Sequence, residues 1–310
     1  MSLLRGPVLW VTGLPPVRHL VTERTLGQRV AGRFVAGPAL EDGIRVAREL
    51  RDRGLGTILD HLGENVESKE QAVAATDDYV LAILALRSRP EIGGAVSVKL
   101  TQLGLDLSVD GCHENMERLL AVAAEADPPI LVMIDMEARQ YVEATLEVYL
   151  ALRERHPNVG VCLQSYLYRT ADDAARIAGP NAIVRMTKGA YLEPPEVAYQ
   201  DRRDVFRSFA ALARDLLAAG STVHFATHDP RLVAGAKAYV HGERVPRERY
   251  EFQLLYGIRR DLQGELMAEG EPVRIYVPYG TQWYPYLTRR MAERPANLWF
   301  FASNALRLRG

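Results

Sequence analysis

Short runs of β-branched and apolar residues alternate with longer amphipathic segments along the chain from about residue 57. In the longer segments, such as ENMERLLAVAAEA and SFAALARDLLAAG, apolar residues recur at the i, i+3, i+4 spacing of a helix. The pattern predicts eight strands, at residues 57–61, 95–100, 130–136, 159–165, 182–187, 222–227, 250–255 and 273–277.

Alternating strands and helices are typical of a parallel sheet with right-handed crossover connections. Eight such units close most economically into an α/β fold of the (βα)8 TIM-barrel type, and an open doubly wound sheet is the alternative. Residues 1–55 are expected to form a helical segment packed on a catalytic barrel of residues 56–310, since no Pro- or Ser-rich linker divides the chain. The clearest helix of that segment is LEDGIRVARELRDRG, which Gly54 should end.

Composition narrows the possible functions. The 310 residues carry 38 Lys and Arg against 39 Asp and Glu, and this balance argues against nucleic-acid binding by bulk electrostatics. No stretch approaches the roughly 18 apolar residues of a transmembrane helix. Two widely spaced cysteines and an N-terminus without a signal-peptide pattern predict a cytoplasmic protein. Peripheral contact with the inner face of the membrane stays open.

Polar side chains collect at the carboxyl ends of the predicted strands, where the active sites of such barrels lie. Seven of the eight strands offer one. They are Lys99, Asp135, Gln164, Arg185 with residues 188–191 beyond it, residues 227–229, Gln253 and Tyr276. Their repetition at one end predicts a single shared site.

The tail of the chain adds a pair of neighbouring arginines. The last strand is expected to break at Pro278 and Gly280 and to feed a short helix that carries Arg289, Arg290 and Glu293. On that helix the glutamate lies one turn from both arginines. Two guanidinium groups on one turn favour an anion between them, and a planar fork suits a carboxylate. The tail therefore predicts half of a site for a small anionic substrate.

Two kinds of bound group can be weighed from the residues alone. His224 and His228 lie four apart on a predicted strand, hence on one face, but no further His or Cys stands at ligand spacing for a metal. The chain lacks the motifs GxGxxG, GxxxxGKS/T, HExxH and GxSxG. A dinucleotide would therefore bind at the barrel mouth, where Arg, Lys and backbone donors after strands five and six can hold a pyrophosphate.

Several segments resemble the flavin-dependent proline dehydrogenases: VRMTKGAY (184–191), ATHD (226–229), YEFQLLYG (250–257), and RIYVPYG with YLTRRMAERPAN (274–297). SVKLTQLG (97–104) and Asp135 extend the resemblance over roughly residues 55–300, and the size suggests the monofunctional bacterial form.

The resemblance implies a barrel that binds FAD non-covalently and oxidises L-proline to Δ1-pyrroline-5-carboxylate by hydride transfer to flavin N5. This reaction is the first step of proline degradation to glutamate, and the electrons would pass to a membrane quinone.

The resemblance also implies a substrate-binding set. Its members are Lys99, Tyr276, Leu255, Arg289, Arg290 and Glu293. The three cations would bind the proline carboxylate, and the glutamate would hold the two arginines in place. The tyrosine and the leucine would pack on the proline ring.

A second set would hold the flavin. Asp135 would orient neighbouring groups and Arg185 would lie near flavin N5, which makes these two the candidate catalytic residues. The cofactor-binding set is Met136, Gln164, Arg185, Lys188, Gly189, Ala190, Thr227 and His228.

Two other hypotheses stay open at this point. A Schiff-base lyase or aldolase on the same barrel would use Lys99 or Lys188, because a desolvated lysine at a strand end can act as a nucleophile. A non-catalytic binding module would need neither a cofactor nor these lysines.

Overall fold

The computed structural model describes the backbone of residues 32–293 and the side chains of residues 32–288. Within that range eight parallel strands close into one barrel in chain order, and the last strand pairs with the first. The strands are β1 (Gly56–His61), β2 (Gly94–Val98), β3 (Val132–Ile134), β4 (Val159–Gln164), β5 (Ile183–Thr187), β6 (Thr222–Ala226), β7 (Tyr250–Leu255) and β8 (Val273–Tyr279). The closed ring confirms the predicted barrel and rules out the open sheet.

Every crossover between strands carries an α-helix. The described helices are α1 (Leu40–Asp52), α2 (Lys69–Arg87), α3 (Val109–Ala124), α4 (Val142–Arg153), α5 (Thr170–Ile177), α6 (Arg202–Ala218), α7 (Pro230–Gly242), α8 (Arg260–Ala268) and α9 (Trp283–Glu293). Short 3-10 turns cover Pro90–Ile92, Arg139–Tyr141 and Arg247–Arg249. Ser68, Ser108, Asp201 and Asp229 start α2, α3, α6 and α7 by accepting a bond from a first-turn backbone N–H. Among the helices of residues 32–293, none is long and apolar enough to cross a membrane.

The third strand is shorter than predicted. It spans Val132–Ile134 and not residues 130–136. At its start, Ile130 N donates to Ala123 O of α3 and so does not join the sheet. At its end, Asp135 N still donates to a carbonyl of β2 at 2.8 Å, but the ladder stops there. The strand therefore delivers Asp135 to the carboxyl end of the barrel on a short support.

The eighth strand is longer than predicted. It continues through Pro278 to Tyr279, although a proline cannot donate to a ladder. The strand tolerates Pro278 because its carbonyl accepts from Ala36 N at 2.8 Å and its place opposite Asp60 of β1 is kept. The chain turns only at Gly280, whose φ of +121° favours glycine.

The helix predicted before the barrel is α1. It ends at Asp52, and Gly54 follows in the left-handed conformation with φ +81°. Its buried face packs against β1 and β8. Residues 1–31 lie outside the described part of the chain, so the division of the chain at residue 55 stays a prediction.

The two faces of the barrel strands differ in polarity. Valine, isoleucine, leucine and phenylalanine dominate the outer face and form the main core with the helices. The inner face carries Asp60, Ser97, Arg185, His224, Glu251, Gln253, Arg274 and Tyr276. Arg185 of β5 bonds Ser97 of β2 at 2.9 Å, and strands so far apart in the ring can meet only inside it. Polar groups in such a place are costly unless they are hydrogen-bonded, so this interior is not built for packing alone.

One half-buried ion pair lies inside the barrel, near the amino ends of the strands. Glu251 accepts from Arg274 Nε at 2.9 and 3.0 Å and from Gln253 Nε2 at 2.6 Å. Burial by itself raises the pKa of Glu251, but the charges of Arg274 and His224 together with the hydrogen bonds from Arg274 and Gln253 outweigh it, and the pKa falls to about 2. The pair therefore stays ionised at neutral pH.

Replacing Glu251 with Gln should lower the free energy of unfolding by about 3–5 kcal/mol, because Arg274 would keep its charge in the barrel without a carboxylate beside it. Urea-induced unfolding followed by circular dichroism measures the change. Asp204→Asn is the matched control, since it breaks an exposed ion pair with Arg207 on α6 and should alter the stability only slightly.

The effect of E251Q should depend on pH in a defined direction. The pKa of Glu251 is lowered in the folded protein from 4.5 to about 2. Its stabilising contribution is therefore present above about pH 4.5 and is lost as the pH falls towards 2. The difference in the free energy of unfolding between the wild type and E251Q should therefore become smaller as the pH falls from about 4.5 to 2. Two results would contradict a stabilising ion pair: an E251Q protein as stable as the wild type at neutral pH, or a stability difference between the two proteins that does not change with pH.

Candidate active site

Asp135 is the centre of the polar cluster at the barrel mouth. Its Oδ1 accepts from Ser97 Oγ at 2.7 Å and from Arg185 Nη1. Its Oδ2 accepts from Tyr276 Oη at 2.8 Å and from Lys99 Nζ at 3.4 Å. Burial opposes the charge of Asp135, but Lys99 and Arg185 outweigh it and lower the pKa of this carboxyl. The structure thus brings three of the predicted site residues, Lys99, Arg185 and Tyr276, into contact with a fourth, the Asp135 carboxylate.

Lys99 has a second carboxylate partner that the sequence reasoning did not include. Its Nζ donates to Asp60 Oδ1 at 2.8 Å, and Asp60 is fully buried on β1. Burial favours the neutral amine, but Asp60, Tyr276 and Asp135 outweigh it and raise the pKa of Lys99 well above its usual value. An ammonium held in this way lacks the free lone pair that a Schiff-base nucleophile needs. This counts against the lyase hypothesis at Lys99.

The signal for Asp60 was present in the sequence. It is the fourth residue of the predicted strand TILDH, one place before the carboxyl end. With it, all eight strands contribute a polar side chain to the interior or the mouth of the barrel.

Arg185 spans the middle of the cluster. Its Nε donates to Gln253 Oε1 at 2.6 Å and its Nη1 donates to Ser97 Oγ at 2.9 Å. The guanidinium carbon lies 5.3 Å from the centre of the Tyr276 ring, close enough for a cation–π contact. Nη2 is buried and finds no hydrogen-bond acceptor among the described side chains. A buried donor without a partner is costly, so this nitrogen marks a place for a ligand or an ordered water.

Leu255 and Tyr276 lie side by side. They are register neighbours on β7 and β8, on the inner face, and both are half-buried. Leu255 N donates to His228 Nε2 at 2.9 Å, so the histidine fixes the end of β7. The two side chains form an apolar and aromatic wall next to the cations Lys99 and Arg185.

A second group of predicted residues joins the ends of β3, β4 and β5. Gln164 Nε2 donates to Glu137 O at 2.8 Å, and its Oε1 accepts from Ala190 N at 3.2 Å. Met136, between Asp135 and that carbonyl, is buried. Gln164 therefore ties the segment after β3 to the segment after β5.

Residue 189 must be glycine because the backbone there lies close to the ring of Tyr166. Its φ is +119°, and an added Cβ would lie 2.2 Å from the ring of Tyr166. The backbone after β5 can therefore pass over the tyrosine only as glycine.

Lys188 belongs to a third group, outside the ring of strands. Its Nζ lies 5.9 Å from the centre of the Phe206 ring, and the guanidinium carbons of Arg202 and Arg231 each lie 5.0 Å from it. These arginines line a pocket of about 350 Å³. They stand in the first turns of α6 and α7, where the macrodipole adds positive potential. The sequence reasoning missed both arginines, and their signal was their place one and two residues after the caps Asp201 and Asp229.

Thr227 and His228 follow β6 and lead into the cap of α7. Thr227 Oγ1 accepts from Asp229 N at 3.2 Å, and Asp229 in turn binds Arg202 and accepts from Arg231 N at 3.0 Å. Burial opposes ionisation of Asp229, but the hydrogen bonds from Arg202 and the backbone of Arg231, with the charges of Arg202 and Lys188, outweigh it and lower the pKa of this carboxyl. The carboxylate thus holds the first turns of α6 and α7 together.

The interpretation of His224 and His228 as one face of a strand was wrong. β6 ends at Ala226, so His228 lies beyond the strand and turns to the backbone of Leu255. His224 stays inside the barrel and faces Gln253. Among residues 32–288, no three or more His, Cys, Asp or Glu side chains are arranged to hold a metal ion.

The predicted tail helix is α9, which is helical over Trp283–Glu293. Its predicted end before Pro295 lies outside the described residues. Tyr286 and Leu287 pack against Phe34, Val35 and Leu62, which anchors α9 at the carboxyl end of β1. The side chains of Arg289, Arg290 and Glu293 lie outside the described part of the chain. Their role in binding a carboxylate therefore stays a prediction.

The family model and the most similar sequences that we compared carry the same name. The family model described as proline dehydrogenase matches residues 44–303. The chain is 37% identical over 277 residues to "Proline dehydrogenase 1" of Bacillus subtilis (strain 168), which covers 89% of this chain and 91% of that protein. It is 38% identical over 311 residues to "Proline dehydrogenase" of Deinococcus radiodurans, covering 99% of both.

Solved structures agree on the fold. A crystal structure of proline utilization A from Bdellovibrio bacteriovorus, inactivated by N-propargylglycine, aligns with a TM-score of 0.79 at 23% identity. The alignment covers 86% of this chain and 32% of that one, so the chain spans about a third of the larger protein. At that identity the likeness supports the barrel alone. The family match and the curated relatives carry the assignment further, and the chain belongs to the proline dehydrogenase family.

Proposed function

We propose that the protein oxidises L-proline to Δ1-pyrroline-5-carboxylate with FAD as cofactor, as the first step of proline degradation to glutamate. The observation that carries the proposal is the cluster around Asp135. It presents cations, a tyrosine and one guanidinium nitrogen, Nη2 of Arg185, whose hydrogens have no acceptor among the described residues. Membership of the proline dehydrogenase family supports proline as the substrate.

The residues present suit FAD in two places. Arg185 Nη2 offers a buried donor that no described side chain accepts, which suits an acceptor nitrogen of the flavin ring. Lys188, Arg202 and Arg231 surround Phe206 at the starts of two helices, which suits a pyrophosphate. When bound, FAD supplies the acceptor for the hydride that leaves the proline carbon next to the ring nitrogen.

The remaining proposed flavin contacts lie between these two places. Gln164 and the backbone at Met136, Gly189 and Ala190 would border the ring and the chain that follows it. Thr227 and His228 would contact the ribityl and phosphate portions. Their positions at the ends of β3 to β6 support this arrangement.

The substrate would be held by charge at one end and by apolar contact at the other. Lys99, Arg289 and Arg290 would bind the proline carboxylate, with Glu293 holding the arginines, while Tyr276 and Leu255 would pack on the ring. Two of the three bonds of Lys99 Nζ are long, at 3.4 and 3.5 Å, so they can be exchanged for bonds to a substrate oxygen. Holding a substrate in a reactive geometry can supply several kcal/mol of the barrier.

Asp135 would act in this reaction by orientation and not as a base. Its pKa is lowered and its two oxygens already accept from four donors. The carboxylate would keep Arg185, Lys99 and Tyr276 directed at the ligands. Such a role agrees with its place at the centre of the cluster.

We further propose a quinone as the electron acceptor, reached by a cytoplasmic protein through peripheral contact at the inner face of the membrane. The support is the family assignment and the resemblance on which the reaction rests. A soluble quinone analogue that reoxidises the proline-reduced protein at a catalytic rate would support this step, and failure of all quinones tried would contradict it.

Purified protein should show the visible absorbance of oxidised flavin, and adding L-proline without oxygen should bleach it. The physical reason is that the site holds the substrate carbon against the cofactor. Spectrophotometry before and after addition measures both effects. The binding-module hypothesis predicts no copurified flavin. Bleaching by another cyclic or N-methylated amino acid, with no response to proline, would contradict the substrate assignment.

Arg289→Met and Arg290→Met should each raise KM for proline by about tenfold to hundredfold, because each removes a charge-assisted hydrogen bond worth about 1.5–3 kcal/mol. Steady-state kinetics of the flavin-loaded variants measures the change. These two positions are cleaner tests than Lys99, whose removal would also leave Asp60 buried without its partner.

The matched control is Arg214→Met, an exposed arginine on α6 that forms an ion pair with its neighbour Asp215. It should leave KM unchanged. Wild-type KM in both tail variants would exclude the proposed carboxylate-binding role of α9.

A further inference from the structure

Gln253 holds one edge of the Arg185 guanidinium. Its Oε1 accepts from Arg185 Nε at 2.6 Å, and both side chains are almost fully buried. On the other edge, Nη1 binds Ser97 and Asp135. An arginine has four rotatable side-chain bonds, so contacts on two edges are what restricts it to one placement.

The direction of the Gln253 amide is itself fixed. Nε2 lies 2.6 Å from Glu251 Oε1 and 2.9 Å from His224 Nδ1, and both of these atoms can accept a hydrogen bond. With two acceptors on the nitrogen side, the amide oxygen must face Arg185. If the amide were reversed, its NH2 group would point at the N–H of Arg185.

His224 fits the acceptor role. Burial lowers the pKa of His224 to about 4, although Glu251 opposes the shift. The ring is therefore neutral near pH 7, and Nδ1 can accept from Gln253 when the proton sits on Nε2.

The series of contacts from Arg185 through Gln253 and Glu251 ends at Arg274, which binds backbone carbonyl groups. Glu251 binds Arg274 Nε, and Arg274 Nη1 donates to Thr57 O at 3.2 Å and to Gly93 O at 3.3 Å. Those carbonyls lie at the amino ends of β1 and β2. A continuous series of hydrogen bonds thus runs through the barrel from its amino end to Arg185.

A network that served only to satisfy buried polar groups would leave none of its donors unused. Here Nη2 of Arg185, which takes no part in the bonds to Gln253, Ser97 and Asp135, has no acceptor among the described residues. The hydrogen bonds of the network fix the guanidinium and leave its Nη2 amino group for a ligand. This asymmetry points to placement of Arg185 as the purpose of the series.

We propose that Gln253 is a positioning residue for the reaction: it fixes Arg185 so that Nη2 faces the cofactor, and Glu251 and His224 set the direction of its amide. The inference rests on the proposed function in that it takes the ligand of Arg185 to be the flavin. Its structural part, that Gln253 determines where Arg185 lies, does not depend on the identity of the ligand.

The test is Gln253→Met, which keeps the size of the side chain and removes the acceptor, studied in the flavin-loaded protein together with Arg185→Met and the double variant. Q253M should lower kcat for proline by about tenfold to hundredfold, as expected for a displaced catalytic group. KM should change less than twofold. The flavin reduction potential should become more negative, because a cation would lie farther from the ring.

The double variant separates positioning from general damage. In the R185M background, Q253M should change kcat less than twofold, since there is no arginine left to place. An equal loss of kcat in both backgrounds would overturn the proposal. If Q253M does not fold, Gln253→Leu removes the same acceptor with a shorter side chain and carries the same expectations.

A crystal structure of Q253M gives a readout independent of activity. The Arg185 guanidinium should leave the position that it occupies beside residue 253, and an unmoved guanidinium would overturn the proposal. If the wild type carries no flavin or does not respond to proline, the proposed function fails. The position of Arg185 in Q253M still decides the positioning role in that case.

Discussion

The carboxylate of Asp135 is the one anion that donors from β2, β5 and β8 share at the mouth of the barrel. Each donor comes from a different part of the chain, and none of them would hold its orientation without a common acceptor. Arg185, Lys99 and Tyr276 therefore depend on Asp135 for their relative placement. The proposed sites for proline and flavin are both built on these side chains.

The cost of this arrangement is a barrel filled with charge. Ions in a protein interior are stable only when they are paired and hydrogen-bonded. Removing one partner of such a pair leaves the remaining charge buried without compensation. The described interior meets this demand with Lys99 on Asp60, Arg185 on Asp135 and Arg274 on Glu251. The apolar outer face of the same strands supplies the packing that offsets the cost, because it is buried against the helices.

The fold was largely predictable because strands and helices have short periods that a single sequence displays. All eight strands were found, and most of their ends were within one residue of the observed ones. Differences of two residues occur in three strands: β2 ends at Val98 and not at residue 100, β3 is shorter at both ends, and β8 is longer. Ile130 bonds to α3, which shortens β3, and β8 keeps its register with β1 past Pro278. The strand-end rule also brought together Lys99, Asp135, Arg185 and Tyr276 before any contact between them was known.

The rest of the site could not be predicted in the same way. Asp60 looks like any polar residue near a strand end, and only the closed barrel shows that it meets Lys99. The roles of Arg202 and Arg231 depend on how two helix starts approach Phe206, which no local pattern encodes. The individual functions in the proline and flavin sets came from family resemblance, and they stay predictions until they are measured.

The most direct test of the shared-anion arrangement is the rate at which proline bleaches the flavin of Asp135→Asn in a stopped-flow experiment. An asparagine has the same shape but only one acceptor oxygen, so it cannot accept from all four donors at once. Arg185, Lys99 and Tyr276 would lose their common orientation, and the rate should fall by about a hundredfold, as expected for a misplacement on the order of 1 Å. A D135N protein that is folded, flavin-loaded and reduced by proline at the wild-type rate would contradict the central place of this carboxylate.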